Sequence, residues 1–202
     1  TIQYERGYDG IVILTIDDPN QGANTMNRAY AESMAATVER LEAEKDDIKG
    51  VIITSGKKTF FAGGDLNDLL AVTKEQAPEF AEGLREIKGQ LRRLETLGVP
   101  VVAAVAGSAL GGGLEITLAA HHRVVVDDPK IQLGTPEVSL GLLPGGGGVT
   151  RTVRMMGIAN ALLNVLIQGK PLRPAKALEL GLISELVDSP DDLIPAAKKF
   201  IN

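Results

Sequence analysis

With 202 residues, 44% of them apolar, and a mean hydropathy of +0.07, the chain can bury a core of its own, and it reads as one domain over 1–202. A balance of 21 Lys and Arg against 26 Asp and Glu, net −5, offers no broad basic face, so neither nucleic acid nor an anionic membrane is expected as partner. Having no Cys and only His121 and His122, the chain has no disulfide, no thiol nucleophile and no expected metal site, and lack of thiols fits a reducing, cytoplasmic setting.

Ile2 to Glu5 and Ile11 to Ile16 flank Tyr8-Asp9-Gly10, a D-G hairpin signal, so two strands open the chain. Thr1 to Gly10 alternate and carry charge, which is not the pattern of a signal peptide, and the Thr start leaves room for a trimmed N-terminus. After a loop over Asp17 to Thr25, Tyr30, Met34, Val38 and Leu41 recur at helical spacing behind Asn27, a natural cap. Gly50 to Thr54 reads as a buried strand. Phe80, Leu84, Ile87, Leu91 and Leu94 mark a second helix, and Pro100 to Val105 a further strand.

A helix over Gly112 to His121, a strand over Arg123 to Val126 and a glycine-rich loop through Gly148 come next. Helices at Val149 to Met156, Ala159 to Gln168 and Pro174 to Leu180, a strand at Ile183 to Val187 and a helix from Asp191 complete the chain. With no later element to cover it, the apolar face of that last helix is expected to lie bare and to make the chain self-associate or only marginally stable. Alternation of strand and helix places it in the α/β class. Val99 to Val105 and Ile158 to Ile167 are the longest apolar runs, far short of the ~20 residues of a membrane-spanning helix.

The 23 glycines cluster in Gly63-Gly64, Gly111 to Gly113 and Gly145 to Gly148, and each cluster asks for a local cause. Phe60 to Asp65 follows a strand; its paired glycines could turn N–H groups toward an anion, or simply make a tight turn with Asp65 capping a short helix at Leu66 to Leu70. Gly111-Gly112-Gly113-Leu114-Glu115 joins a buried strand to a helix, which sets the Gly112 N–H at the positive end of a helix dipole. It is neither a dinucleotide fingerprint nor a P-loop. Taken singly, Glu115 is a first-turn acid and Glu137, after Pro136, a solvated loop residue. Taken together, two carboxylates 22 residues apart across a strand and back could meet and divide into an acid and a base. His121 and His122 read as helix-end groups, and Lys57 and Lys58 as solvated or phosphate-facing cations.

Three segments in this order resemble the enoyl-CoA hydratase/isomerase, or crotonase, family across Ile2 to Val187: Lys58 to Asp65, Val105 to Glu115 and Leu133 to Gly148. Asp17-Asp18-Pro19, Asn24 to Asn27 and Leu143 to Arg154 bring it nearest to members built into a multifunctional fatty-acid oxidation complex. The resemblance implies a spiral of repeated ββα units, with the C-terminal helices of that fold lacking after Asn202. It implies an oxyanion hole from the N–H groups of Gly64 and Gly112, Glu115 activating water, and Glu137 delivering a proton. An acyl-CoA thioester would lie along Ala23, Lys58, Ala62, Asp65, Leu66, Leu110, Gly111, Pro136 and Leu143. No metal or redox cofactor is implied, coenzyme A being part of the substrate. Family members usually form homotrimers or join a larger complex. Asn67 stands where many hydratases carry a lysine near the coenzyme A phosphates. Two glutamates favour hydration of a trans-2-enoyl-CoA, with 3,2-isomerisation beside it. The alternatives are a non-catalytic acyl-CoA-binding module, or another isomerase, hydrolase or decarboxylase of the family.

Overall fold

The Asp9-Gly10 turn, with Gly10 at φ 80°, closes a hairpin in which β1 (Ile2–Arg6) runs antiparallel to β2 (Ile11–Ile16) and pairs Ile2 with Ile16. The computed structural model describes the backbone of residues 1–202 and every side chain except those of 66–68. Asn27 caps α1 (Arg28–Glu44), its side chain accepting the Tyr30 N–H, and the stripe Tyr30, Met34, Val38 and Leu41 is buried. β3 (Gly50–Ser55), α2 (Leu66–Ala71), α3 (Ala77–Glu95), β4 (Val101–Val105), β5 (Ala109–Leu110), α4 (Gly112–Leu118), β6 (His122–Val126) and β7 (Leu133–Gly134) follow. A 3-10 turn at Pro136–Leu140 leads to α5 (Gly148–Met156), α6 (Ile158–Ala161), a π turn at Leu162–Leu166, α7 (Pro174–Glu179), β8 (Glu185–Val187) and α8 (Leu193–Ile201).

Six strands form one sheet in the order β1-β2-β3-β4-β6-β8, parallel from β2 onward. Helices cover these strands, so β4 is buried at all five positions and reads as a continuous apolar run, not an alternating one. After each long strand the chain turns and makes a short cross pairing before entering a helix. Met26 bridges to Gly64, Phe61 to Ala109, and β5 to β7, which in turn touches Leu172. Strand, cross segment and helix thus recur as the chain winds, which is the expected ββα spiral. Its consequence for the site is geometric: the residues just past each cross segment, though tens of positions apart in sequence, stack on one another.

Two expectations are corrected. The helix expected over Gly112 to His121 ends at Leu118, because the His121 N–H donates to the Val101 carbonyl and draws the chain into the sheet. The last helix, whose apolar face was expected to lie bare, packs on β3, β4 and β6. It buries Leu193 and Ala197, sets Ile201 against Gly50 and stacks Phe200 on His122 with ring centroids 4.2 Å apart. No described helix is long and apolar enough to cross a membrane.

Candidate active site

The Gly63-Gly64 turn, the Gly111 to Gly113 turn and the 3-10 turn carrying Glu137 are successive exits from the cross segments. Hydrogen bonds tie them together: Leu110 N–H to Phe61 O at 3.0 Å, Gly111 N–H to Gly134 O at 2.8 Å, and Met26 N–H to Gly63 O at 2.8 Å. A polar knot holds the loop above them. Asn24, 1% exposed, donates to the carbonyl of Ile16 and the hydroxyl of Ser55, and its oxygen accepts the Asp18 N–H. That knot sets Ala23 over Ala62, whose N–H donates to Asn24 O.

Between these turns lies an open cavity of about 510 Å³, lined by Ala23, Ala62, Gly64, Asp65, Gly111, Pro136 and Glu137 among others. Seven of the residues expected at the site therefore share one wall. Gln21, Thr25, Leu69, Leu140 and Leu142 also line it and were not foreseen; they lie in non-periodic loops or on short helical turns that leave no pattern to read. Lys58 is exposed and apart from the cavity, Leu143 points into solvent, and Leu110 contributes through its backbone behind Gly63. Leu66 lies outside the described side chains. Lys57 pairs with Asp17 at 2.8 Å instead of facing a phosphate.

Close approach explains the glycines. Gly111 has φ +52°, and a Cβ there would come 2.7 Å from Oε1 of Glu137, so this glycine opens the room that carboxylate occupies. A Cβ on Gly146 would likewise come 2.7 Å from Oε2 of Glu115. Among the described residues no acceptor takes the N–H of Gly64 or Gly112; Gly112 is buried and opens α4 behind Gly111, while Gly64 lines the cavity two residues before α2.

Glu115 is 2% exposed and sits behind the cavity wall rather than on it, in α4, where all seven residues are buried. Its Oε1 accepts the Gly148 N–H at 2.7 Å. Burial pushes its proton affinity up, while the amides of Gly146 to Gly148 and the Arg151 charge pull it down, leaving it raised. Glu137 is half-buried, not a solvated loop acid as its sequence context alone reads. Burial and, less strongly, the Glu115 charge push it up to about 7, and its Oε2 is buried without a partner among the described residues. Two carboxyl groups, one facing a cavity with its proton held near neutrality and feeling the charge of the other, which lies behind it in a cage of amides, form a pair able to exchange protons in opposite directions. His121 and His122 take no part: His121 accepts the Val101 N–H at 2.9 Å, and His122 meets Glu185.

A glycine-turned, carboxylate-bearing cavity on this spiral defines a class, and comparison with known proteins agrees. The family profile described as enoyl-CoA hydratase/isomerase matches residues 6–202, and the chain belongs to that family. Among curated proteins, it is 43% identical over 192 residues to the fatty acid oxidation complex subunit alpha of Shewanella amazonensis, covering 93% of this chain and 26% of that one. The same subunit of Idiomarina loihiensis is 42% identical over 180 residues, 89% of this chain and 25% of the relative. The chain thus spans about a quarter of the length of these relatives. Among solved structures, an enoyl-CoA hydratase from Bacillus anthracis superposes with a TM-score of 0.87 at 27% identity, covering 99% of this chain and 74% of that one. One from Thermoplasma volcanium gives 0.85 at 28%, over 99% and 77%.

Proposed function

We propose that the chain hydrates trans-2-enoyl-CoA thioesters to 3-hydroxyacyl-CoA, as the hydratase portion of a fatty-acid oxidation enzyme. The observation carrying this reading is the pair of carboxyl groups at the stacked glycine turns, Glu137 on the cavity wall pushed up to about 7 by burial and by the Glu115 charge, and Glu115 caged behind it.

The thioester carbonyl lies against the N–H groups of Gly64 and Gly112, which stabilise negative charge as it develops on oxygen. Each donor of this kind is worth about 3 kcal/mol in a transition state. Glu115, ionised, takes a proton from water as the water oxygen bonds to C3 and the double-bond electrons move toward the carbonyl. Glu137, protonated, gives its proton to C2, and the net change is one water added. Coenzyme A runs along Ala23, Ala62 and Asp65. The assay is loss of crotonyl-CoA absorbance with the product identified; an intact thioester bound but unconverted leaves only a binding module.

One observation favours a second reading. Of the two glutamates only Glu137 lines the cavity, and moving a double bond from C3 to C2 needs just one carboxylate to carry a proton between two carbons. Conversion of 3-enoyl-CoA to 2-enoyl-CoA without hydration would select it.

A further inference from the structure

Behind Glu115, on the side away from the cavity, a buried cation holds the loop that cages it. Arg151, in α5, is 9% exposed, and its Nη1 donates to the Gly146 carbonyl at 3.1 Å. Its Nη2 lies 3.3 Å from Oε2 of Glu95, at the end of α3, and the same Glu95 oxygen is 2.7 Å from Arg92 Nη1. Fixing the Gly146 carbonyl outward on Arg151 turns the following peptides inward, and the next amides meet the Glu115 carboxylate, Gly148 N–H at 2.7 Å. The loop has no side chains of its own to hold that shape: 145 to 148 are all glycine. A glycine run loses more conformational entropy on ordering than any other sequence, so an external clamp is required to keep it in one arrangement.

We propose that Arg151, held by Glu95, is a positioning residue for Glu115: it locks the glycine loop so that its amides grip the carboxylate and orient it toward the cavity. The inference rests on the hydratase reading, in which Glu115 must act ionised. Charged or titratable groups facing Glu115 are Arg151 from α5 and Glu137 from the 3-10 turn. From α3, Glu95 pairs with Arg151 and Arg92 pairs with Glu95. Removing the guanidinium leaves burial to raise Glu115 with less opposing it, so its ionisation moves to higher pH.

Two measurements test this on Arg151→Gln, Arg151→Lys and Glu95→Gln in the full chain. The first is a ¹³C carboxyl titration of Glu115, assigned by its loss in Glu115→Gln, which does not depend on turnover. The Glu115 midpoint should rise in Arg151→Gln, rise less in Glu95→Gln and stay close to the parent in Arg151→Lys. The second is the pH profile of hydration. Arg151→Gln should lower kcat by about 10²-fold with KM changed less than about threefold, and move the ascending limb to higher pH, while Arg151→Lys recovers the limb and part of kcat. A merely structural arginine would lower the melting temperature and leave midpoint and limb in place. An unmoved Glu115 midpoint in folded Arg151→Gln overturns the proposal. A moved midpoint in Arg151→Gln beside a parent chain that hydrates nothing overturns the hydratase reading instead and leaves the clamp standing.

Discussion

Glu137 keeps a carboxyl proton to about pH 7 because its site withholds water from the charge and places a second acid nearby. A group whose folded pKa lies above its unfolded value stabilises the fold at low pH and loses that contribution as pH rises, here between about 4.5 and 7. Glu137→Gln, which never ionises, should therefore match the parent in melting temperature at pH 4.5 and exceed it by about 2–6 °C at pH 8. Equal melting across that range would mean that the carboxyl is solvated after all. For catalysis the expectation reverses. Glu115→Gln and Glu137→Gln should each lower hydration by roughly 10²–10⁴-fold with thioester binding retained, and the double variant should lose far less than the product, because the two act as one unit. Glu115→Gln should spare isomerisation of a 3-enoyl-CoA more than Glu137→Gln does, as measured by product ratio from a single substrate pool.

Between one residue and the next level up, the glycine turns show what a sequence conceals. Clustering was visible, but its cause was not: Gly111 makes space for a carboxylate 26 residues later, and Gly146 for one 31 residues earlier. Such contacts depend on the stacking of the spiral, which no local spacing encodes. Two positive-φ glycines differ in what surrounds them. Gly181 has φ +74° with nothing within 4 Å of a Cβ, so Gly181→Ala should cost only the left-handed backbone penalty, about 1–2 kcal/mol, and leave activity unchanged. Gly111, at φ 52° and ψ −123°, lies outside the left-handed helical region, so Gly111→Ala strains the backbone more than Gly181→Ala and also drives a methyl into Glu137; it should melt lower still and lose about 10²-fold or more in turnover. Identical activity losses in the two would remove the steric argument. Long periodic elements were the legible ones. α1 with its Asn27 cap, β2 and β3 emerged close to their observed bounds because one face of each is buried and the other is not, or because the strand is apolar throughout. β5 and β7, two residues each, carry no period, and α4 is buried all round, so its amphipathic signature is absent and its end was misplaced.

At the scale of the whole molecule, the spiral itself was accessible only through the three motifs read in order, since the sheet order skips β5 and β7 and nothing in the hydropathy pattern says which strands pair. Which surface remains uncovered was misjudged for a physical reason: α8 looks like an end without neighbours, yet it turns back onto β3, β4 and β6. The bare apolar surface is elsewhere. On the 3-10 turn and the loop beyond it, Val138, Leu140, Leu142 and Leu143 are exposed, Leu143 at 79%. The segment after α5 adds Ile158, at 71%, with Leu162, Leu163 and Ile167. The two runs adjoin, since Gly169 packs against Val138 and Ser139, and Thr135 donates to the Val165 carbonyl at 3.2 Å. These eight exposed large apolar side chains, of which Leu140 and Leu142 also line the cavity, lie on neighbouring segments, and burial returns about 25 cal/mol per Å² of apolar area removed. The chain should therefore self-associate with rising concentration, the patch and not α8 forming the contact. Sedimentation velocity over a dilution series should show the shift, and Leu143→Asp combined with Leu163→Asp should abolish it while leaving the far-ultraviolet spectrum and melting temperature near the parent's. If Phe200→Asp on α8 dissolved the association and the leucine pair did not, the contact would lie on the other face of the sheet, and the patch would have no part in it.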